Sequence, residues 1–300
     1  MNMNNAIPLM TDEMGTQSAG DTLKIIAKTY PGQLSFTFFL VILENVLLLT
    51  YPLFAGFAID AIVRGDFLQS LTYALVVLSM WCVGAARRCV DTRTFTRIYA
   101  RLAVPVILAQ RSRQESHSTI AARVVLAREF VTFFELHMPM LATTIASIIG
   151  AAVMLLIVET WVGIACCLTV LLFWAILPSY SRRNEQLHGL LNDRLEKEVH
   201  LVKDSRAKTL ERHYSLLAIL RIRISDREAW GYLMIGTAAA LLFALATGLM
   251  ATKGAVTAGH VYAVMTYLWT FVTSLDDGPQ LTDQFARLRD IGKRVDTGME

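Results

Sequence analysis

Long uncharged runs alternate with segments dense in charge. Five runs contain no Asp, Glu, Lys or Arg: 68–86, 138–158, 160–181, 229–252 and 254–275. A sixth, 29–59, is apolar apart from Glu44. A helix needs roughly 20 mostly apolar residues to cross the hydrocarbon core of a bilayer. The pattern therefore predicts an all-α membrane protein with six transmembrane helices. The links between runs alternate in length. Arg64-Gly65-Asp66, Glu159-Thr160 and Lys253-Gly254 are short, whereas 87–128 and 182–228 are long. The long links hold one internal proline (Pro105) and one glycine (Gly189) and are rich in Ala, Leu, Arg, Glu and Lys. These are strong helix formers, so each link is expected to continue its span as a helix, turn and return. In the second link, Glu185, Leu187, Leu191, Leu195 and Val199 recur at helical spacing and predict a packing seam, with Arg194, Lys197 and Glu198 on the solvated side.

The first span is preceded by residues 21–30, where Leu23, Ile25 and Ile26 interleave with Lys24 and Lys28 ahead of Pro31. That pattern predicts a short amphipathic helix lying on the membrane surface. The domain is accordingly drawn over 21–296, with 1–20 as a polar, disordered leader and 297–300 as a tail. The first 28 residues have no apolar segment of the kind a cleaved signal peptide needs.

Composition supports this reading. The chain is 54% hydrophobic with a mean hydropathy of +0.46 and only 18% charged residues, against roughly 25% in soluble domains. These values argue against a soluble enzyme, a nucleic-acid-binding module and a disordered chain. The net charge of +3 conceals a strong asymmetry: twenty of the 28 Lys and Arg lie in the two long links, and two lie in the short ones. Basic residues accumulate on the cytoplasmic side. The expected topology has long links and both termini in the cytoplasm of a multi-pass protein of the plasma (inner) membrane. Cys82, Cys89, Cys166 and Cys167 lie in or beside apolar runs without metal-ligand spacing and read as buried or lipid-facing residues.

A few polar residues interrupt the apolar runs. Glu44, next to Asn45, lies near the middle of the first run. An isolated carboxylate there costs about 2.5–3.5 kcal/mol, so the pair is a candidate substrate or proton site. Glu135 and His137, at the start of the third run, could extend a proton relay or snorkel to the interface. Pro52 removes a backbone donor within the first run and is a candidate hinge. No spacing suggests a metal site, a nucleophile–base pair or a nucleic-acid surface.

Three segments give the chain a family likeness. Tyr51-Pro52-Leu53-Phe54-Ala55-Gly56-Phe57-Ala58-Ile59-Asp60-Ala61-Ile62-Val63 ends the first span, with Gly65-Asp66 beyond it. Thr119-Ile120-Ala121-Ala122-Arg123 lies in the first long link. Gly254-Ala255-Val256-Thr257-Ala258-Gly259-His260-Val261-Tyr262-Ala263 opens the sixth span. Taken with the alternation of links, these resemble the transmembrane domain of ABC exporters, in which two six-span domains exchange helices across a dimer. The resemblance implies a homo- or heterodimer in the lipid bilayer. It also implies docking to a separate nucleotide-binding subunit through Thr119, Ala122, Arg123 and Arg128, and through His200, Lys203 and Asp204. The sequence departs from the family pattern at Ser118, at Val124–Arg128, and around Val199–Asp204, where a glycine is usual. It contains no G-x-x-x-x-G-K-[ST] loop and no LSGGQ signature. The stretch Gly15-Thr16-Gln17-Ser18-Ala19-Gly20-Asp21-Thr22 puts Asp where the phosphate-binding Lys must stand. The chain is therefore expected to bind no cofactor itself and not to be an enzyme, with ATP and Mg reaching it only through a partner.

Three functions fit these observations. The first is a transporter subunit moving an amphipathic lipid, peptide or drug by alternating access, driven by a separate ATPase. The second is a proton-coupled transporter of ABC-like fold that uses Glu44. The third is a non-transporting accessory or immunity protein that keeps the fold.

Overall fold

A computed structural model describes residues 31–112, 133–204 and 207–278. Helix dominates these segments. Helix α1 spans Pro31–Arg64 and α2 spans Phe67–Ser112. A short π-helical turn, Phe133–His137, leads into α3, Met138–Val158. Then come α4, Thr160–Asp204, α5, Ala207–Lys253, and α6, Ala258–Asp276. Five helical segments are long and apolar enough to cross a membrane: 31–64, 67–100, 135–158, 160–198 and 207–253.

The sixth expected span departs from the prediction. Residues 254–257 are not helical, and α6 begins only at Ala258, with Thr257 as its N-cap accepting a hydrogen bond from the His260 backbone N–H at 3.2 Å. The resulting helix has 19 residues, four of them Thr or Ser, and is not among the five membrane-crossing candidates. Its apolar residues are largely buried within the chain. Ala263, Val264, Tyr267, Leu268 and Phe271 are the most thoroughly buried group in their part of the chain.

Three short turns are built as the sequence predicts. Gly65 (φ 76°) and Gly254 (φ 68°) occupy the left-handed region that glycine enters without a Cβ penalty. Between α3 and α4 a single residue, Glu159, interrupts the helix. Its N–H donates to the Leu155 carbonyl at 2.8 Å, and its own carbonyl accepts from Gly163 at 3.0 Å.

The chain divides into two compact units, with the boundary inside α3 between Ile149 and Gly150. In the first, α1 and α2 pack along their lengths and the π-helical turn rests on α2. In the second, α4 packs on α5 and α5 on α6.

Helix α2 has 46 residues, α4 has 45 and α5 has 47. At 1.5 Å per residue each is about 70 Å long, more than twice the hydrocarbon core. Helices α4 and α5 are stitched together where the uncharged run ends. Tyr180 donates its hydroxyl to the Arg227 carbonyl (3.1 Å), Arg227 donates back to the Tyr180 carbonyl (3.0 Å), and the guanidinium lies 4.7 Å from the ring centroid. Further along, Tyr214 donates to Glu198 at 2.8 Å. The packed stripe of α4 differs from the expected one. It runs through Asn184, Leu187, Leu191, Arg194 and Glu198, while Glu185 and Leu195 are exposed. Long polar side chains can bury their stems and keep their charged ends wet, and half-buried Arg194 and Glu198 stand where the apolar pattern alone does not place the seam.

Candidate functional site

The first polar cluster joins α1 to α2. Glu44 lies twenty residues before Arg64, and Arg87 lies twenty residues after Phe67. Two antiparallel helices leaving the Gly65 turn therefore bring them to one level. Arg87 donates its Nε to Glu44 and its Nη1 to Asp91, one turn further along α2, at 3.0 Å. The guanidinium is 18% exposed and the carboxylates 25% and 5%. Gly84 makes room for the pair, since a Cβ there would lie 3.1 Å from Glu44 Oε1.

This arrangement changes the reading of Glu44. Twenty residues of helix measure about 30 Å, the thickness of the hydrocarbon core. Arg87 is the first charge after the uncharged run of α2. Glu44 thus lies level with Arg87, and it is paired rather than isolated.

Asn45 is buried beside the pair. Its Nδ2 donates to the Val41 carbonyl at 2.8 Å, which fixes the amide orientation and leaves Oδ1 with no partner. Asp91 Oδ1 is likewise buried and unsatisfied. Buried acceptors without donors are uncommon and costly. A cavity of about 300 Å³ opens here, lined by Glu44, Asn45, Leu48, Trp81 and Arg88 among others.

The remaining sequence candidates are not gathered at this cavity. Glu135 and His137 are half-buried in the π-helical turn and do not line it, although Glu135 lies within electrostatic reach of Asp91. Pro52 is buried within α1, which continues through it. His200, Lys203 and Asp204 fall in the last turns of α4. Thr119, Ala122, Arg123 and Arg128 lie outside the described residues.

A second cluster, in the other unit, drew no attention in the sequence beyond its short turns. Glu159, in the one-residue turn between α3 and α4, is 2% exposed. It accepts from Lys253 Nζ at 2.8 and 2.7 Å, and its Oε1 lies 2.9 Å from His260 Nε2. Burial pushes the Glu159 carboxyl up. The hydrogen bonds from Lys253 and His260, with their charges, outweigh burial and hold it below its ordinary value. Nearby, Gly163 is obligatory: a Cβ would lie 2.3 Å from the Leu156 backbone nitrogen.

The sequence pattern that defines ABC transporter transmembrane regions matches residues 23–259. The chain belongs to this family. No match is found among curated proteins. As an ABC transporter transmembrane region, the chain is an integral, multi-pass component of a membrane transporter, and its domain is one of transport rather than catalysis. Among the described residues no group of three or more His, Cys, Asp or Glu side chains is placed to hold a metal ion.

Arg87, Asp91 and Gly84 were missed as members of the first cluster, although one signal was available. Positions 44 and 87 are equidistant from the Gly65 turn, and a carboxylate and a cation at equal depth on paired spans are expected to meet. Glu159, Lys253 and His260 carried a weaker signal, a charged residue at each of two short turns.

Proposed function

We propose that the chain is the membrane-spanning half of an exporter-type ABC transporter, acting as a dimer and driven by an ATPase on a separate chain. The observation that supports this best is the length of α2, α4 and α5. Each runs far beyond what a bilayer can cover, and the excess is the basic part of the chain. In this reading the excess projects into the cytoplasm. The ends near 119–128 and 199–208 then dock on the ATPase. ATP-driven closure of the ATPase pair swings the spans between inward- and outward-open states, a rigid-body alternation. The solute is amphipathic, in keeping with a cavity that combines ion pairs with Leu48, Met80 and Trp81.

The test is purification from native membranes in mild detergent, followed by assay of Mg-dependent ATP hydrolysis. Hydrolysis should co-purify with the chain and fall severalfold when Lys203 and Asp204 are both replaced by Ala. A preparation that binds amphiphiles but never brings down ATPase activity would overturn the separate-ATPase reading.

A further inference from the structure

We propose that the cavity beside Glu44 binds a zwitterionic amphiphile whose headgroup joins a primary ammonium to a phosphate, as in phosphatidylethanolamine.

The site holds both signs of charge: Glu44, Arg87 and Arg88 line the cavity, Asp91 shares Arg87, and Glu135 lies within electrostatic reach of Asp91. Two carboxylates already engage Arg87, whereas Arg88 is exposed, lines the cavity and has no partner among the described residues. A ligand that carries both signs finds a partner for each here, the unpaired Arg88 for its anion and the Glu44 side for its cation; a purely anionic or purely cationic ligand uses only one.

The polar atoms sort by sign. Arg88 offers a guanidinium, whose fork of donors matches phosphate oxygens. Asn45 offers Oδ1, a buried acceptor that its own helix leaves unsatisfied and that requires an N–H donor. The Glu44 carboxylate stands next to it. The Trp81 ring, 66% exposed, supplies a face for the same cation. A primary ammonium satisfies Asn45 and Glu44 together. A quaternary ammonium has no N–H and leaves Asn45 unsatisfied.

Depth and lining point to an amphiphile rather than a free zwitterion. Leu48 and Met80 line the cavity, and exposed Val46, Leu75 and Leu78 continue from it along α1 and α2 toward the Gly65 turn. The site therefore lies where a lipid headgroup meets its chains, at the level set by the first charge after the uncharged run of α2. The transporter reading is needed only to regard this amphiphile as cargo. The binding site stands without it.

The experiment is titration of the purified protein in maltoside detergent with dihexanoyl-phosphatidylethanolamine, monitored by calorimetry. The phosphatidylcholine and phosphatidylglycerol analogues, dodecylammonium, dodecyl phosphate and chain-free phosphoethanolamine serve as comparisons. The phosphatidylethanolamine analogue should bind at least fivefold more tightly than each of the others. Arg88→Gln, at an exposed position, should erase the preference over dodecylammonium. Asn45→Ala should reduce binding to the level of the phosphatidylcholine analogue. Equal affinity across the series would overturn the proposal, as would equally tight binding by dodecylammonium alone or by chain-free phosphoethanolamine. Undiminished binding in Arg88→Gln would overturn it independently of how Asn45→Ala folds. Failure of this titration leaves co-purifying ATPase activity untouched, so the two readings fail separately.

Discussion

The two ionic clusters use the same chemistry differently. At Glu159 a nearly fully buried carboxylate receives two nitrogens of Lys253 and His260, and both of its oxygens are satisfied. At Glu44 the ion pair with Arg87 is half-buried, a second carboxylate shares the guanidinium, and Asn45 and Asp91 each keep a buried oxygen without a donor. A satisfied cluster at a one-residue turn fixes geometry. An unsatisfied one beside a cavity has bonding capacity left over. The glycines mark the same contrast. Gly163 faces backbone, which cannot move aside, whereas Gly84 faces the end of a flexible side chain.

That contrast can be broken at five points. Gly163→Ala should have the largest effect, about 3 kcal/mol or more, because overpacking against backbone forces the α3–α4 turn to open. Loss of folded protein from membranes, read by size-exclusion profile, is the check. Arg87→Met should follow at about 3 kcal/mol, since it leaves two carboxylates without their shared cation; thermal unfolding in detergent reads this. Glu44→Gln should cost much less, because Arg87 keeps Asp91. Lys253→Met should cost about 1–2 kcal/mol. It strips a partner from the buried Glu159, but Lys253 is itself 52% exposed and its contribution is partly screened. Gly84→Ala should stay under about 1 kcal/mol, the Glu44 carboxylate giving way by a few tenths of an ångström.

The smallest expected effect is on pH dependence, and its sign follows from the Glu159 carboxyl. Held below its ordinary value in the folded protein, it stabilises the fold at pH above the unfolded carboxylate value. The stabilisation is lost as pH falls through the lower folded value. The melting temperature of the wild type should therefore drop on acidification through and below the ordinary carboxylate range, and Glu159→Gln should show a flatter profile over that window. An unchanged profile in the variant would assign the acid sensitivity elsewhere.

Much of the architecture was legible because membrane spans are a compositional signal. Runs 138–158 and 160–181 match α3 and the first half of α4, and Gly65 and Gly254 announced their turns. The start of the sixth helix was not legible. Thr257 caps it, and Gly254–Val256 are apolar enough to read as span. The stripe on α4 was misplaced because charged Arg194 and Glu198 are half-buried while Leu195 is exposed. The Glu159 cluster is hidden for a different reason. Its partners are 94 and 101 residues away, and hydropathy records no distance of that kind. Glu44 lay between these cases: its presence was obvious, and its partner could be found only by counting equal helix lengths from the Gly65 turn.

The central claim is that this ABC transmembrane region moves an amphiphile on energy delivered by another chain. Its most direct test is flux of a fluorescent amphiphile across proteoliposomes containing the chain with its co-purified ATPase, compared with the chain alone under a pH gradient. The account predicts flux that requires MgATP and the ATPase, and that is absent under the gradient alone. Flux driven by the gradient without ATP, and lost in Glu44→Gln, would contradict it, as would the absence of flux under every condition.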